Sequence, residues 1–229
     1  MNTLVNVARY HPVDRVTYLA LPWGIMTFSF LVNVVIASLA PPTPHGSYTG
    51  GLVTIYVFLL ICGALSMTRA LPFGLMLGVS RRTYYLGTAL LVAVLGTVYG
   101  LGLTVLQVVE RVTGGWGLRL HFFRIPWIMD GPWYETWLTS FVLLVLFFLY
   151  GMWYGLVFRR WSVPGLVAFI AAQIVVALLV VVAVSATHSW SGVGHFFTTV
   201  TALALTGVLA VVAVAMGLGG LTTIRRVTV

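Results

Sequence analysis

The sequence predicts an all-α, polytopic membrane protein with about six transmembrane helices and with both termini in the cytoplasm. Three observations predict this class. Of 229 residues, 60% are hydrophobic and 7% are charged, whereas an ordinary soluble domain is roughly 25% charged. Apolar runs of membrane-spanning length recur along the chain. Arginines concentrate in alternate connections between those runs, as in multi-pass proteins.

Six segments provide close to the ~20 apolar residues that a helix needs to cross the hydrocarbon core. They are residues 19–39, 52–68, 86–108, 136–158, 165–186 and 196–221. Residues 1–18 are predicted to lie in the cytoplasm or along the membrane surface, and they do not resemble a cleavable signal peptide. We therefore expect one transmembrane domain over residues 1–229.

The direction of crossing follows from the arginines, which are all 12 of the basic residues. With the N-terminus inside, nine lie on the inner face and three on the outer face, the latter being Arg111, Arg119 and Arg124. The inner nine are Arg9, Arg15, Arg69, Arg81, Arg82, Arg159, Arg160, Arg225 and Arg226. Because positive residues in short loops are retained in the cytoplasm, this split predicts a multi-pass protein of the cytoplasmic (inner) cell membrane.

The net charge of +8 is interpreted as a topology signal and as contact with anionic membrane lipid, so we expect no nucleic-acid partner. On the outer face, Glu110, Asp130 and Glu135 offset the three arginines. The single cysteine, Cys62, lies in an apolar run, which leaves no disulfide within the chain.

The predicted outer connections differ in character. Residues 41–46 form a proline-rich turn, and residues 187–195 a short Ser/Gly/His loop. The long outer interfacial segment, residues 109–135, is aromatic and charged, which suits the headgroup layer of the outer leaflet. A gate or a substrate-facing role is the alternative. Its aromatic residues are Trp116, Phe122, Phe123, Trp127, Trp133 and Tyr134.

Chemistry-bearing patterns are scarce. No ionisable residue lies in the middle of a predicted span, which argues against a proton-driven transporter. The sequence shows no nucleophile with a base and no carboxylate pair, so we predict no catalytic residue and no enzyme. No metal site is predicted, and four outer-face histidines are interpreted as interfacial polar residues: His45, His121, His188 and His195.

Three amides interrupt the apolar runs: Asn33, Gln107 and Gln173. Each either bonds to another helix or lines a pathway, and a pathway without charge would suit an apolar or amphiphilic substrate. Two glycine pairs, Gly96 with Gly100 and Gly151 with Gly155, have the spacing that lets membrane helices approach closely.

The most informative stretch is the inner loop between the second and third predicted spans. Pro72 fits the first turn of a short helix, and Gly78 fits its left-handed C-cap. Ser80 can then cap the third span by accepting from the amide of Arg82 or Thr83. Arg81 and Arg82 lie in that first turn, where the helix dipole disfavours cations, so anionic lipid or a partner protein should compensate them.

The second inner loop, residues 159–165, is too short for another helix of this kind. Ser162 as a cap and Pro164 in the first turn predict the re-entry into the fifth span. Arg159 and Arg160 are interpreted first as topology signals, with a contact to a partner as the alternative.

From Phe73 to Gly87 the chain reads FGLMLGVSRRTYYLG, which resembles the loop between spans two and three in permease subunits of ABC-2 type transporters. In that family this loop is a coupling helix that docks on a separate ATP-binding subunit. The resemblance implies a docking helix at residues 72–79 and an ABC exporter composed of two permease copies, or of this chain and a related permease. It implies contact residues Phe73, Leu75, Met76, Leu77, Gly78, Val79, Ser80, Arg81, Arg82 and Tyr84.

No cofactor is expected in this chain. A P-loop needs a lysine and the sequence has none, so ATP and Mg²⁺ would be held by the partner subunit. Two alternatives remain open. One is a non-transporting assembly or sensor subunit of a larger membrane complex, and the other is an unpowered channel or carrier.

Overall fold

The computed structural model describes residues 20–39, 46–125, 128, 129 and 131–224, except for the side chains of Phe197 and Thr198. Several sequence predictions lie outside these residues. They concern the N-terminal segment 1–18, most of the proline-rich turn, and His45, Trp127, Asp130, Arg225 and Arg226.

Helices account for most of the described chain. They are α1 (Leu21–Leu39), α2 (Val53–Leu65), α3 (Leu71–Met76), α4 (Arg81–Val112), α5 (Trp133–Ala186), α6 (Trp190–Thr199) and α7 (Ala202–Thr223). A π-helical turn, Ser66–Ala70, joins α2 to α3, and a turn of mostly left-handed residues, Gly115–Arg119, follows α4. Two short strands, β1 (Ser47–Tyr48) and β2 (Leu120–His121), pair in parallel.

Five helical stretches of the described residues are long and apolar enough to cross a membrane, which confirms the mostly helical, membrane-embedded class. They are Leu21–Leu39, Val53–Met76, Arg81–Val112, Trp133–Ala186 and Ala202–Thr223.

Helix α5 differs from the prediction, which expected two spans joined by the loop 159–165. It spans 54 residues but is broken at Ser162 (φ 54°, ψ −154°) into two helical halves. The Tyr154 hydroxyl of the first half donates to Gln173 of the second at 2.8 Å, so the two halves lie side by side. The predicted loop is thus reduced to one non-helical residue. Pro164 lies in the first turn after the break, where its missing N–H costs no helical hydrogen bond.

The end of the chain also differs. The predicted loop at 187–195 and the predicted span at 196–221 are wrong in their boundaries, because Trp190–Thr199 forms helix α6 and a new helix starts at Ala202. The Thr201 hydroxyl oxygen accepts from the amide of Ala204 at 3.2 Å, which is an N-cap. Hydropathy missed this boundary because residues 198–201 (TTVT) are only weakly polar and the residues beyond them are apolar.

Glycines bring the first half of α5 against α2 and α4. A Cβ added at Gly151 would overlap the carbonyl oxygen of Leu60, and one at Gly155 would lie 2.7 Å from that of Ala64. The other pair, Gly96 and Gly100, faces Phe141 and Trp137 of α5. The predicted close approaches are therefore confirmed. The residues buried in this bundle include Ile55, Leu59, Tyr99, Leu144, Phe148 and Met152.

Several helices expose long apolar faces. In the second half of α5, Leu179 and Val182 are 62% and 61% exposed. Helices α1 and α7 also present exposed apolar side chains, such as Phe28 and Val211. Such faces are costly in water and favourable in lipid or against another helix, which agrees with a membrane-embedded protein.

Candidate functional site: the α3–α4 elbow

The turn between α3 and α4, residues 71–84, is here called the elbow. Gly78 adopts φ +81°, its amide donates to Leu75 O at 3.0 Å, and the Val79 amide donates to Gly74 O at 3.1 Å. These two bonds form a Schellman motif, which ends α3 and requires a residue with positive φ. The predicted left-handed C-cap at Gly78 is confirmed.

Ser80 begins helix α4. Its backbone is extended (φ −66°, ψ 147°), and its hydroxyl oxygen accepts from the amide of Thr83 at 3.1 Å. The predicted cap is therefore confirmed, and Pro72 lies in the first turn of α3 as expected. Because each cap is made by residues close in sequence, the elbow has one defined backbone geometry.

Buried side chains hold the elbow against the neighbouring helices. Tyr84 is 4% exposed, and its hydroxyl donates to Ser66 O at 2.8 Å, which ties the start of α4 to the end of α2. Gly74 leaves room for the Tyr84 ring, because a Cβ there would lie 3.0 Å from the ring. Leu71 is buried as well. A force applied to α3 would therefore act directly on α2 and α4.

The outward face of the elbow is apolar. Met76 is 78% exposed, and Phe73 and Leu77 are each 52% exposed. The other proposed contact residues differ in exposure. Tyr84 is buried and supports the elbow from inside the protein. Gly78, Ser80 and Arg82 are exposed, whereas Leu75, Val79 and Arg81 are half-buried.

Arg159 lies beside the base of the elbow. Its guanidinium donates to the carbonyl oxygen of Thr68 at 3.5 Å, within the π-helical turn that leads into α3. Arg160, next to it, stacks its guanidinium on the Trp161 ring at 4.8 Å. The first half of α5 and the start of α4 therefore both bond to the turn Ser66–Ala70, which we call the base of the elbow.

The three amides predicted as pathway candidates make hydrogen bonds to different parts of the chain. Asn33 donates to Ser29 O of its own helix at 2.8 Å, and Gln107 donates to the carbonyl oxygen of Met129. Gln173 accepts from the hydroxyl of Tyr154 at 2.8 Å and from that of Tyr150, which joins the two halves of α5. Lining a common pathway stays a prediction for all three.

Sequence reasoning assigned Glu110 only a compensating outer charge, but the structure makes it an organising residue. The carboxylate is 1% exposed in the last turn of α4. Its Oε2 accepts from the amides of Phe122 and Phe123 at 3.0 and 2.9 Å and from Trp116 Nε1 at 3.2 Å. An acid at a helix C-terminus is disfavoured by the dipole, and that sequence signal could have revealed a need for donors.

The aromatic residues of the outer segment divide between core and surface. Phe122 and Phe123 are buried, and their ring centroids lie 5.3 and 5.5 Å from that of Phe30 on α1. Trp133 and Tyr134 are 62% and 54% exposed, so these two have the exposure that a headgroup anchor needs. The position of the segment at the outer membrane surface stays a prediction.

Within the described ranges, no group of three or more His, Cys, Asp or Glu side chains is placed to hold a metal ion. No protein-family model, no curated protein and no solved structure matches this chain.

Proposed function

We propose that this chain is the permease subunit of an ATP-driven exporter in the cytoplasmic membrane, and that the elbow docks on a separate ATP-binding subunit. The single observation that carries the proposal is the exposed apolar face of an elbow that is itself firmly mounted. Three large apolar side chains, Phe73, Met76 and Leu77, are each more than half exposed. Exposed apolar clusters of this kind mark a contact with a protein or with the membrane, and we assign this one to a protein partner.

The mounting of the elbow supports a role in transmitting motion. Tyr84 joins α4 to the end of α2, and Arg159 brings α5 to the same base. An element that transmits motion from an ATP-binding subunit to the membrane helices needs both an exposed contact surface and a firm attachment to those helices. The partner would supply ATP and Mg²⁺, since the sequence has no lysine for a P-loop.

Six crossings with both termini in the cytoplasm complete the proposal. The break at Ser162 supports this count, because an unbroken helix of about 80 Å greatly exceeds the ~30 Å hydrocarbon core. In this crossing pattern the elbow and Arg159 fall on the same side of the membrane, as the hydrogen bond from Arg159 to Thr68, just before the elbow, requires. The arginine distribution favours the cytoplasmic side.

The exposed apolar faces of α1, α5 and α7 are available to lipid or to a second permease copy. The substrate would pass between the copies, and its apolar or amphiphilic character is inferred from the aliphatic and aromatic surfaces that remain.

One substitution and a matched control test the docking role. Leu77→Asp places a charge on the elbow tip and should reduce recovery of an ATP-binding subunit with the tagged chain by at least tenfold, as for an interface hot spot. Leu118→Asp makes the same change at a 39% exposed position in the outer segment and should leave recovery unchanged. The measurement is co-purification from the native membrane, with ATP hydrolysis of the complex as the second readout.

The proposal fails if the unaltered chain brings no ATP-binding protein with it, or if Leu77→Asp retains one at the level of Leu118→Asp. Flux through liposomes that contain this chain alone would instead favour an unpowered channel or carrier.

A further inference from the structure

A cavity of about 260 Å³ opens beside Glu110, between the end of α4 and strand β2. Arg111, Arg119 and Arg124 line it together with Glu110 and His121, and glycines form the remaining wall. Among the described residues, three arginines and one carboxylate thus line the cavity. The guanidinium of Arg111 already donates to the carbonyl oxygens of Met129 and Gly131, at 3.2 and 3.4 Å.

Two buried polar atoms at this cavity have no hydrogen-bond partner among the described residues. They are Oε1 of Glu110 and Nδ1 of His121, which face each other at 3.7 Å, within ion-pair distance but too far apart for a hydrogen bond. Oε2 of the same carboxylate already accepts three hydrogen bonds, so the unused acceptor is specific to Oε1. A buried carboxylate oxygen without a donor is costly, and a ligand that supplies one would relieve that cost.

The wall of the cavity depends on glycines. A Cβ at Gly46 (φ +75°) would lie 2.8 Å from the carbonyl oxygen of Arg119, and one at Gly115 (φ +79°) would lie 2.7 Å from the amide nitrogen of Leu120. Trp116 and Arg119 also adopt positive φ, of 60° and 54°. Such backbone is unfavourable for residues with a Cβ and persists only where surrounding contacts hold it, here the bond from Trp116 to Glu110.

If α4 crosses the bilayer, its length places the cavity at the level of lipid headgroups. Helix α4 starts at Arg81, and Glu110 lies 29 residues further on, about 44 Å along the axis at 1.5 Å per residue. This distance exceeds the ~30 Å hydrocarbon core, so the cavity is at a membrane surface when α4 crosses the bilayer. The estimate holds for either direction of crossing.

We propose that this cavity binds the headgroup of a phospholipid that carries both a phosphate and an ammonium group, the chemistry of phosphatidylethanolamine. Arg119 would contact the phosphate, as guanidinium groups commonly do. The ammonium would donate to Glu110 Oε1, and its charge is favoured near the C-terminal carbonyls of α4. A metal ion does not fit, because one carboxylate and one imidazole would have to hold it among three arginines.

This inference does not depend on the proposed exporter function. It requires only that α4 crosses the bilayer, and its test does not involve an ATP-binding subunit.

The test uses the full-length, delipidated protein in detergent and counts bound lipid by native mass spectrometry. Dioctanoyl-phosphatidylethanolamine should bind roughly tenfold more tightly than dioctanoyl-phosphatidylcholine, whose headgroup has the same phosphate but no N–H donor. Arg119→Gln should weaken binding of both lipids by roughly tenfold, while Arg160→Gln, the same change outside the cavity, should leave binding unchanged.

Glu110→Gln provides the sharpest variant, because an amide can keep its oxygen for the backbone donors while its NH₂ replaces Oε1. It should abolish the preference for the ethanolamine headgroup, and Arg119→Gln keeps the test decisive if Glu110→Gln does not fold. Equal binding of the two lipids to the unaltered protein would overturn the proposal, as would an unchanged affinity in Arg119→Gln. If an equal concentration of free phosphoethanolamine displaced the bound lipid, the assignment to a lipid would be overturned.

Discussion

Glu110→Ala is expected to release the outer segment from helix α4. The substitution removes the acceptor of three N–H groups, of which those of Phe122 and Phe123 are buried. Leaving buried donors unsatisfied costs about 1–3 kcal/mol each, so the segment should lose several kcal/mol of local stability. The measurement is limited trypsin digestion in nanodiscs, where cleavage after Arg119 and Arg124 should become at least tenfold faster.

Glu135→Ala is the matched control, because it makes the same change in the same outer region without removing an acceptor of those amides. Its digestion rate should equal that of the parent. If Glu110→Ala is cleaved no faster than Glu135→Ala, then the carboxylate does not hold the segment in place.

Gly151→Ala is expected to disrupt the packing of α2 against α5. A Cβ at this position would overlap the carbonyl oxygen of Leu60, and backbone cannot move aside as a flexible side chain can. Overpacking a tight helix contact costs about 1–3 kcal/mol or more, which predicts a loss of several degrees in Tm and a smaller monodisperse fraction. Size-exclusion chromatography after a temperature series measures both.

Gly207→Ala on α7 is the control, since a Cβ there meets nothing within 4 Å. Alanine has the higher helix propensity, so this variant should match the parent or exceed it slightly. An equal Tm for the two alanine variants would show that α2 and α5 do not pack as closely as described.

Local signals in the sequence predicted the elbow correctly. The Schellman turn at Gly78 and the cap at Ser80 each depend on hydrogen bonds between residues three to five apart. Such bonds depend on residue type and spacing, which the sequence displays directly. The close approach at Gly151 was also predictable, because a missing side chain is itself a sequence feature.

After residue 158 the sequence predicted the end of α5 at Ala186 and a change of backbone at Ser162, but not that a single residue would make that break. Hydropathy records how apolar a segment is and does not record how many residues leave the helical region. The cap at Thr201 ends the short run TTVT (residues 198–201), whose threonines are too weakly polar to interrupt the apolar segment in a hydropathy window. A single threonine with the correct backbone geometry was enough to divide the predicted last span.

The role of Glu110 depended on tertiary structure. Its donors come from residues 6, 12 and 13 positions further along the chain, behind a turn of left-handed residues that the sequence only suggested through its glycines. The cavity at Arg119 and His121 arises from the same turn. The role of Glu110 and the cavity both depend on the outer segment packing back onto α4, which the sequence does not show.

The central claim is that the elbow faces the cytoplasm, where an ATP-binding subunit could reach it. Met76→Cys and Leu118→Cys test it through a membrane-impermeant maleimide applied to sealed right-side-out and inside-out vesicles, with the parent, whose Cys62 is buried, as background. We expect Met76→Cys to be labelled only in inside-out vesicles and Leu118→Cys only in right-side-out vesicles. Labelling of Met76→Cys in right-side-out vesicles, or of both cysteines from one side, would contradict the proposed crossing pattern and the docking role with it.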